Sequence, residues 1–509
     1  MSGVSELTGM GAGDLARGIA ARSFSATEAV MAHLERQHAI QSEINAVAVS
    51  LHDQAIASAK AADQGRPTEG QKLYGVPVSV KECFDVTGTA TTAGLVGRAA
   101  HLESDDAELV SRLRAAGAIL TAKTNLPQLE LYVETDNPLY GRTNNPWDLA
   151  RTPGGSSGGE AALVAASGSP LGLGTDFGGS VRVPAHFCGL CSLRATPGRL
   201  SLAGTADQMV FNHVSAIPDS AGPIARTVAD LRLSMDVLDA PVPDATVQGL
   251  VIGVYDDDGY MTASAAVRRA VHQAAKALEA AGARVVPFEP PGVQEMLDIF
   301  YGVMTADGAA AYRDLLAGRQ LDPRIRQLMQ LGTMAAWLRP VVGAGLMATG
   351  QWRLSHLIRT TGLRSAEQTQ SLIARRDAYR KRFEAALFEA GVDVLLCPPH
   401  ALPAITHGAS ASLGPASFNY TFLYSLLGWP AGVVPVTRVR PVETDRRRRG
   451  IDLVDITARR VDKGSAGLPI GVQVAARPNR EDLILAVMAA VETSLSGSAD
   501  YPGIPPGLS

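Results

Sequence analysis

Two glycine-flanked serines are the residues of this chain best suited to chemistry. Ser156 lies in the run from Pro153 to Glu160 (PGGSSGGE), and Ser180 ends the run from Gly174 (GTDFGGS). Glycine has no Cβ, so backbone amides in such runs can come close to a reacting atom. Each segment can therefore present a hydroxyl beside N–H donors, which are the groups that acyl transfer requires.

A lysine upstream of both serines is the candidate base. The segment from Leu73 to Asp85 (LYGVPVSVKECFD) is typical of a short β-strand that carries Lys81 among apolar neighbours. Lysine is seldom fully buried, and desolvation disfavours the ammonium form. We therefore expect burial to lower the pKa of Lys81 toward that of a usable general base.

Taken singly, these segments have ordinary explanations, since glycine and serine dominate turns and a lone lysine is usually on the surface. Together, Lys81, Ser156 and Ser180 in this order and spacing resemble the amidase signature family, which uses a Ser-Ser-Lys triad. The resemblance runs along nearly the whole chain. It is closest to the fatty acid amide hydrolase branch in the runs NPLYG (137–141), SPLGLG (169–174), FCG (187–189) and WPAGVVPV (429–436).

The resemblance implies a role for each member of the triad. Ser180 corresponds to the nucleophile, and Ser156, which follows a cis peptide bond in the family, relays the proton to Lys81. The implied oxyanion hole consists of the backbone N–H groups of Phe177, Gly178, Gly179 and Ser180. Removing one such donor typically costs about 2.7 to 4 kcal/mol of transition-state stabilisation.

Five further residues receive supporting roles from the resemblance. Those expected to hold the serine loops are Ser157, Asp176 and Arg182. Leu131, beside Tyr132, stands where the animal enzymes of this branch have an aromatic that lines the acyl chain. We therefore expect Leu131 and Tyr132 to contact substrate and a different acyl group to be preferred.

Other motifs fail on inspection. A phosphate-binding loop needs Gly-Lys-Ser/Thr, whereas Glu160 follows the glycines here. The run 154–158 fits the G-x-S-x-G elbow, but the preceding segment 144–153 contains two prolines and cannot be a central strand. His400 and His407 lie among prolines and glycines without a catalytic context. Cys188 and Cys191 supply two ligands where a structural zinc site needs four, so no metal or cofactor is expected.

Composition indicates an ordinary globular enzyme. The 509 residues are 46% hydrophobic and 19% charged, and the formal net charge of −4 does not indicate nucleic-acid binding. Four cysteines do not form a disulfide scaffold. Residues Met1 to Leu7 lack a basic and apolar leader, and no apolar run reaches the ~20 residues of a spanning helix. We therefore expect a cytoplasmic protein.

The order of elements predicts an α/β fold with a mixed, largely parallel sheet covered on both faces by helices. A capping box at Ser25 and Glu28 opens a helix through about His38. The other predicted helices are 51–62, 108–116, 160–167, 264–281 and 375–390, and the predicted strands are 119–122, 251–255, 284–288 and 393–397. We expect one amidase signature domain over 1–509, with 1–62 as its N-terminal helical segment.

The segment 327–352 has an unusual composition for a surface. Arg339 is its only charged residue up to Trp352, and Pro340 with several glycines is expected to break it into two short helices. It is either a buried helical pair or an apolar cap that touches a membrane interface, and it falls where the resembled branch has its membrane-binding cap. The arginines 446–449 are either a solvated loop or a contact for anionic lipid headgroups.

Three functions fit the sequence. The first is a serine hydrolase that cleaves apolar acyl or aryl amides, including fatty acid amides, with esters or carbamates as alternative substrates of the same triad. The second is a glutamine-hydrolysing amidotransferase subunit, and the third is an inactive binding module. The complete triad opposes the third, and the apolar cap opposes the second. A homodimer is expected because it is common in the family.

Overall fold

The fold is organised around one large sheet whose central strands are almost wholly buried. The computed structural model describes residues 4–505, so the first three residues of the segment Met1 to Leu7 lie outside the described part. The strands of the described chain are β1 (Val47–Ser50), β2 (Pro77–Lys81), β3 (Ile119–Thr124), β4 (Asp136–Asn137), β5 (Gly141–Arg142), β6 (Leu171–Thr175), β7 (Cys191–Arg194), β8 (Ala221–Ala225), β9 (Val251–Val254), β10 (Arg284–Pro287), β11 (Val394–Cys397), β12 (Ala431–Arg438) and β13 (Pro469–Ala476).

Helices occupy most of the sequence between the strands. They are α1 (Val4–Gly9), α2 (Ala12–Ala20), α3 (Ala26–Ile44), α4 (His52–Asp63), α5 (Glu108–Ala115), α6 (Gly158–Ala165), α7 (Arg182–Cys188), α8 (Asp207–Phe211), α9 (Val228–Leu238), α10 (Ala265–Ala280), α11 (Val293–Met304), α12 (Ala310–Leu316), α13 (Pro323–Thr333), α14 (Leu338–Ala348), α15 (Trp352–Thr360), α16 (Ala366–Glu389), α17 (Ser410–Leu413), α18 (Asn419–Leu427), α19 (Leu453–Asp462) and α20 (Glu481–Leu495). Short 3-10 turns cover Val96–Arg98, Gln128–Glu130, Asn212–Val214, Gly414–Phe418 and Pro441–Glu443.

The main sheet has eleven strands in the order β1-β3-β2-β6-β8-β7-β12-β13-β11-β9-β10 among the described residues. The pairs β2/β3, β2/β6, β9/β10 and β9/β11 are parallel. The other six neighbouring pairs are antiparallel. The α/β fold with a mixed sheet is therefore confirmed, with a larger antiparallel share than the sequence suggested.

Three parallel strands position the candidate site. β3, β2 and β6 are neighbours, with Lys81 paired to Thr124 and Val80 paired to Leu173. Lys81 ends β2 and Thr175 ends β6, so both residues lie at the same edge of the sheet. The loops that follow β3, β2 and β6 must leave from that edge, and they carry residues 125–130, 82–85 and 176–180. Ligand sites of open α/β sheets commonly lie at such carboxyl ends.

Most predicted elements are present, with shifted ends. The capping box of Ser25 and Glu28 forms, and its helix runs to Ile44. A second capping box at Ser365 and Gln368 starts α16 well before Arg375. The break in the apolar segment lies between α13 and α14 rather than at Pro340, because Pro340 falls in the first turn of α14, where proline needs no hydrogen-bond partner for its nitrogen.

Candidate active site

Lys81 is fully buried at the edge of the sheet and bonds to three oxygens. Its Nζ donates to Ser156 Oγ at 2.8 Å and to Thr175 Oγ1 at 2.7 Å. It also forms a buried ion pair with the Glu130 carboxylate. An ammonium group has three N–H donors, so this environment satisfies all of them.

The expected low pKa of Lys81 is wrong. Burial acts to lower the pKa of Lys81, as anticipated, but the negative charge of Glu130 outweighs it and the pKa is raised above its usual value. The counter-ion of Lys81 is not its sequence neighbour Glu82, because Glu130 reaches the lysine from a loop 49 positions away. The lysine therefore has a counter-ion that the local sequence does not reveal.

Ser156 and Ser157 tie the two serine segments together. The peptide bond from Gly155 to Ser156 is cis, as the family resemblance implied. Ser157 donates its backbone N–H to the Ser180 carbonyl at 3.0 Å and its hydroxyl to the Thr175 carbonyl at 3.3 Å. Ser157 also precedes α6, whose first residues are glycines that pack closely against neighbouring residues. These bonds fix the Ser180 loop relative to the lysine.

Asp176 holds the Ser180 loop from within. Its carboxylate accepts the backbone N–H of Gly179 at 2.7 Å and of Val181 at 3.1 Å. Arg182 donates to both carboxylate oxygens, with distances of 3.0 and 2.8 Å. Gly179 has φ of 134°, and a Cβ there would come within 2.6 Å of Thr421 Oγ1, so the loop requires glycine at this position.

Arginines connect this loop to the central strands and α18. Arg182 also donates to Gln473 Oε1 at 2.9 Å and to Ser425 Oγ at 2.9 Å. Arg194 donates to the Asp176 carbonyl at 3.1 Å and lies 3.6 Å from its carboxylate. Burial raises the pKa of Asp176, but the two arginines outweigh it and hold that pKa at about 2. Asp176 is therefore ionised at every working pH.

The amide groups of the loop differ in their availability. Gly179 donates its N–H to the Asp176 carboxylate. Of the four amides predicted to form the oxyanion hole, this one is therefore already occupied. Within residues 4–505, no acceptor of the chain bonds the N–H of Phe177, Gly178 or Ser180. These three amides can donate to a bound oxygen, and their role in an oxyanion hole stays a prediction.

An apolar cavity of about 130 Å³ leads to Ser180. Ser180, Gly155 and Gly178 lie in its wall together with Glu130, Leu131 and Tyr132. Stacked aromatic pairs complete the wall, with ring centroids 4.4 Å apart for Phe177 and Phe211 and 3.9 Å apart for Phe300 and Phe422. Leu131 and Tyr132 thus line the cavity next to Ser180, and their contact with substrate stays a prediction.

A second cavity continues from the first toward the apolar helices. It has about 400 Å³ and shares Tyr132, Tyr301, Leu328 and Leu357 with the first cavity. Leu328 and Leu331 of α13 belong to its wall. A larger cavity of about 740 Å³ adjoins these two, since Thr361 also lines the first and Met334 the second. Four arginines and none of the triad residues line it.

Other candidate groups do not join the site. His400 is buried, and burial lowers its pKa to about 3; neither it nor His407 lines the Ser180 cavity. Cys188 and Cys191 are buried free thiols that face backbone carbonyls. Among residues 4–505, one group could hold a metal by distance: Cys83, Glu130 and Asp207, whose ligand atoms lie within 4.8 Å of one another. Glu130 is already paired with Lys81, so a cation there would compete with the ammonium.

Known proteins that resemble this chain belong to one enzyme family. A model of the amidase family matches residues 28–485. The chain belongs to the amidase signature family. It is therefore an enzyme that hydrolyses amide C–N bonds.

Individual relatives cover most of the chain. A fatty acid amide hydrolase 1 of Caenorhabditis elegans is 34% identical over 447 residues, covering 84% of this chain and 77% of that protein. A glutamyl-tRNA(Gln) amidotransferase subunit of Chromohalobacter salexigens is 32% identical over 457 residues, covering 83% of this chain and 89% of its own. A solved fatty acid amide hydrolase has a TM-score of 0.84 at 24% identity, covering 98% of this chain and 87% of its own, which shows a shared fold.

Proposed function

We propose that this amidase hydrolyses amides of apolar acyl or aryl groups through Ser180, Ser156 and Lys81, with a covalent acyl-enzyme at Ser180. The observation that carries the proposal is the bond from Lys81 Nζ to Ser156 Oγ, next to an apolar cavity that Gly155 and Ser180 line. Activation of a serine by an adjacent base is the usual route to a nucleophilic hydroxyl.

The proposed reaction has two halves. Ser180 Oγ bonds to the carbonyl carbon, its proton passes to Ser156, and the proton of Ser156 passes toward Lys81. The carbonyl oxygen becomes an oxyanion opposite the amides of Phe177, Gly178 and Ser180. The C–N bond then breaks as the leaving nitrogen takes a proton back through Ser156. Water repeats the sequence on the acyl-enzyme and releases the acid.

The cavity supports an apolar substrate. Five phenylalanines and Leu131 line the cavity near Ser180, and the adjoining cavity extends the apolar surface to α13. Esters and carbamates with the same acyl groups would meet the same nucleophile. A glutamine-hydrolysing role is less supported, because the five phenylalanines and Leu131 favour an apolar acyl group over a glutamine side chain.

The apolar segment supports contact with a lipid surface, as proposed for residues 327–352. Trp337, Val341 and Met347 expose 75%, 63% and 53% of their surface. No single helix of the described residues is long and apolar enough to cross a membrane, whereas α13 and α14 pass that test together with a bend of 118°. Arg447 of the arginine run is already paired with Asp462, so the apolar surface carries this proposal. The homodimer and the cytoplasmic location stay predictions.

The function is tested with a fluorophosphonate probe and a panel of acyl amides, aryl amides, esters and carbamates. We expect hydrolysis of the apolar members and modification at Ser180. Ser180→Ala should lose both, and Lys81→Ala should lower the rate by about 10² to 10⁴-fold, the usual effect of a positioned base. Ser111→Ala, which changes an exposed serine, is the control. Stoichiometric labelling of another serine in Ser180→Ala would remove Ser180 as the nucleophile.

A further inference from the structure

Glu130 contacts the triad lysine, and the proposed mechanism leaves its carboxylate unused. Its Oε2 forms the ion pair with Lys81 Nζ and accepts a hydrogen bond from Thr175 Oγ1 at 3.3 Å. Its Oε1 is buried, and no hydrogen-bond partner is found for it in the described chain. Leu129 and Glu130 both have positive φ, 54° and 59°, a conformation that is uncommon for residues other than glycine. The backbone thus turns a carboxylate inward against the lysine.

The ion pair creates a difficulty for Lys81 acting alone. As an ammonium that already donates to Glu130, Ser156 and Thr175, Lys81 has no lone pair with which to take a proton from Ser156. It can accept one only by giving one away in the same step. The carboxylate that it contacts is the group placed to receive that proton.

We infer that Glu130 is the terminal proton acceptor of the relay, so that Lys81 passes a proton through rather than keeping it. This inference rests on the proposed function. As Ser180 Oγ bonds to the carbonyl carbon, one proton moves from Ser180 to Ser156, one from Ser156 to Lys81, and one from Lys81 to Glu130 Oε2. The carbonyl π electrons move to the oxyanion. When the C–N bond breaks, Glu130 returns its proton to Lys81, Lys81 passes one to Ser156, and Ser156 gives one to the leaving nitrogen. The amine leaves neutral, Ser180 stays acylated, and the relay recovers its starting charges.

The charged and titratable groups around Glu130 fit this role. Lys81 faces it from β2, Cys83 and Glu82 from the loop after β2, and Asp207 from α8, with Asp219 behind Asp207. Burial and then the charge of Asp207 raise the pKa of Glu130 to about 7. Interacting groups titrate as a pair, so the pair takes up its second proton near neutral pH. A base with such a pKa is well matched to neutral working conditions.

The test is the pH dependence of fluorophosphonate labelling at Ser180, which requires no knowledge of the substrate. Labelling of wild type should rise with pH through about 7, because the pair accepts a proton only while Glu130 is ionised. In Glu130→Gln, only the free amine of Lys81 can act as the base. The rise of the labelling rate with pH should therefore occur at least about one pH unit higher, and the rate at neutral pH should fall about tenfold or more. Glu130→Asp, which keeps a carboxyl, should restore part of the neutral rate.

Each other outcome overturns the inference. If the pH profile of labelling is unchanged in Glu130→Gln, Glu130 is only a structural partner of Lys81. A profile that moves to lower pH shows that the carboxylate merely holds Lys81 in its charged form. Glu279→Gln, an exposed acid on α10, should leave the profile unchanged.

A second measurement uses wild type alone, in case Glu130→Gln fails to fold. A trifluoromethyl ketone that forms a hemiketal with Ser180 should produce the infrared band of a newly protonated carboxylic acid. Absence of that band in wild type overturns the inference. Failure of the proposed function looks different, since neither the probe nor the ketone would then modify Ser180.

Discussion

Asp176 shows how single residues hold the catalytic loop in place. A carboxylate with no solvent exposure is tolerated because the Arg182 side chain binds both of its oxygens and three backbone amides donate to it. Removing one member of a buried charged network leaves the other charges unpaired, which is more damaging than the net value of the network suggests. The loop that carries Ser180 therefore depends on this ion pair as well as on Gly179.

Asp176→Asn should destabilise the protein by about 3 to 5 kcal/mol, because Arg182 and Arg194 would be left buried without a full counter-charge. Urea unfolding measures the change, with Asp14→Asn in the exposed Asp14–Arg17 pair as a control expected at about 0 to 1 kcal/mol. The pKa of Asp176 is lowered from 3.8 to about 2. Its stabilising contribution is therefore present above pH 3.8 and lost as the pH falls through about 2. Equal losses in the two variants would contradict this account.

The sequence singles out Lys81, Ser156 and Ser180 because their order and spacing resemble a known family, whereas each local signal alone has an ordinary explanation. The sequence does not identify Glu130 as a site residue, because Glu130 lies in the run QLELY (128–132), which has no periodic pattern. Two consecutive residues with positive φ bring its carboxylate to Lys81, and such a turn has no signature without glycine. The wrong pKa direction for Lys81 follows directly from that missing partner.

At the scale of elements, helix caps and apolar periodicity predict the helices well, whereas pairing between distant segments decides which of them are strands. β12 and β13 lie at the centre of the sheet, yet Pro430, Pro435 and the glycines in these segments interrupt any strand pattern. They are strands because each is paired on both sides. The predicted break at Pro340 is wrong for a related reason, since proline is compatible with the first turn of a helix.

The cap formed by α13 and α14 should bind lipid through its exposed apolar residues. Apolar surface removed from water contributes about 25 cal/mol per Å², so charges at these positions should abolish adsorption. Vesicle co-sedimentation of Trp337→Glu/Val341→Glu/Met347→Glu against wild type measures this, with hydrolysis of a short soluble amide followed in parallel. We expect loss of binding with little change in soluble activity.

A matched variant separates the cap from general surface charge. Leu102→Glu/Leu149→Glu/Phe388→Glu adds three charges at exposed apolar positions elsewhere and should bind vesicles like wild type. If wild type stays in the supernatant at every lipid composition, or if both triple variants behave alike, the segment is an ordinary lid over the entrance.

At the scale of the whole molecule, sheet order gathers residues that are far apart in sequence. Lys81, Thr175 and the Glu130 loop meet only because β3, β2 and β6 are adjacent and parallel. Alternating helices and strands predict an α/β sheet but do not fix which strands pair. The same three strands enclose Glu160 of α6, which accepts Ser79 Oγ of β2 at 2.6 Å and Thr124 Oγ1 of β3 at 2.8 Å and lies against Gly172 of β6.

Glu160 should make the whole fold less stable as the pH rises. Burial raises its pKa from 4.5 to about 8, so the folded protein holds a proton that the unfolded chain releases. Between about pH 4.5 and 8 the native state therefore binds more protons than the unfolded chain. The free energy of unfolding falls over this range by about 1.4 kcal/mol per pH unit because of this group. This contribution is fully present below pH 4.5 and lost by about pH 8.

Glu160→Gln replaces the protonated acid with a neutral amide of the same shape, so its stability should fall less steeply than that of wild type between about pH 5 and 8. Urea midpoints followed by tryptophan fluorescence at several pH values measure the difference, which should widen steadily toward alkaline pH. Glu279→Gln removes an exposed acid of α10 and should run parallel to wild type. Parallel curves for Glu160→Gln would mean that Glu160 is ionised in the fold, and the three strands would then be packed around a buried charge rather than a neutral acid.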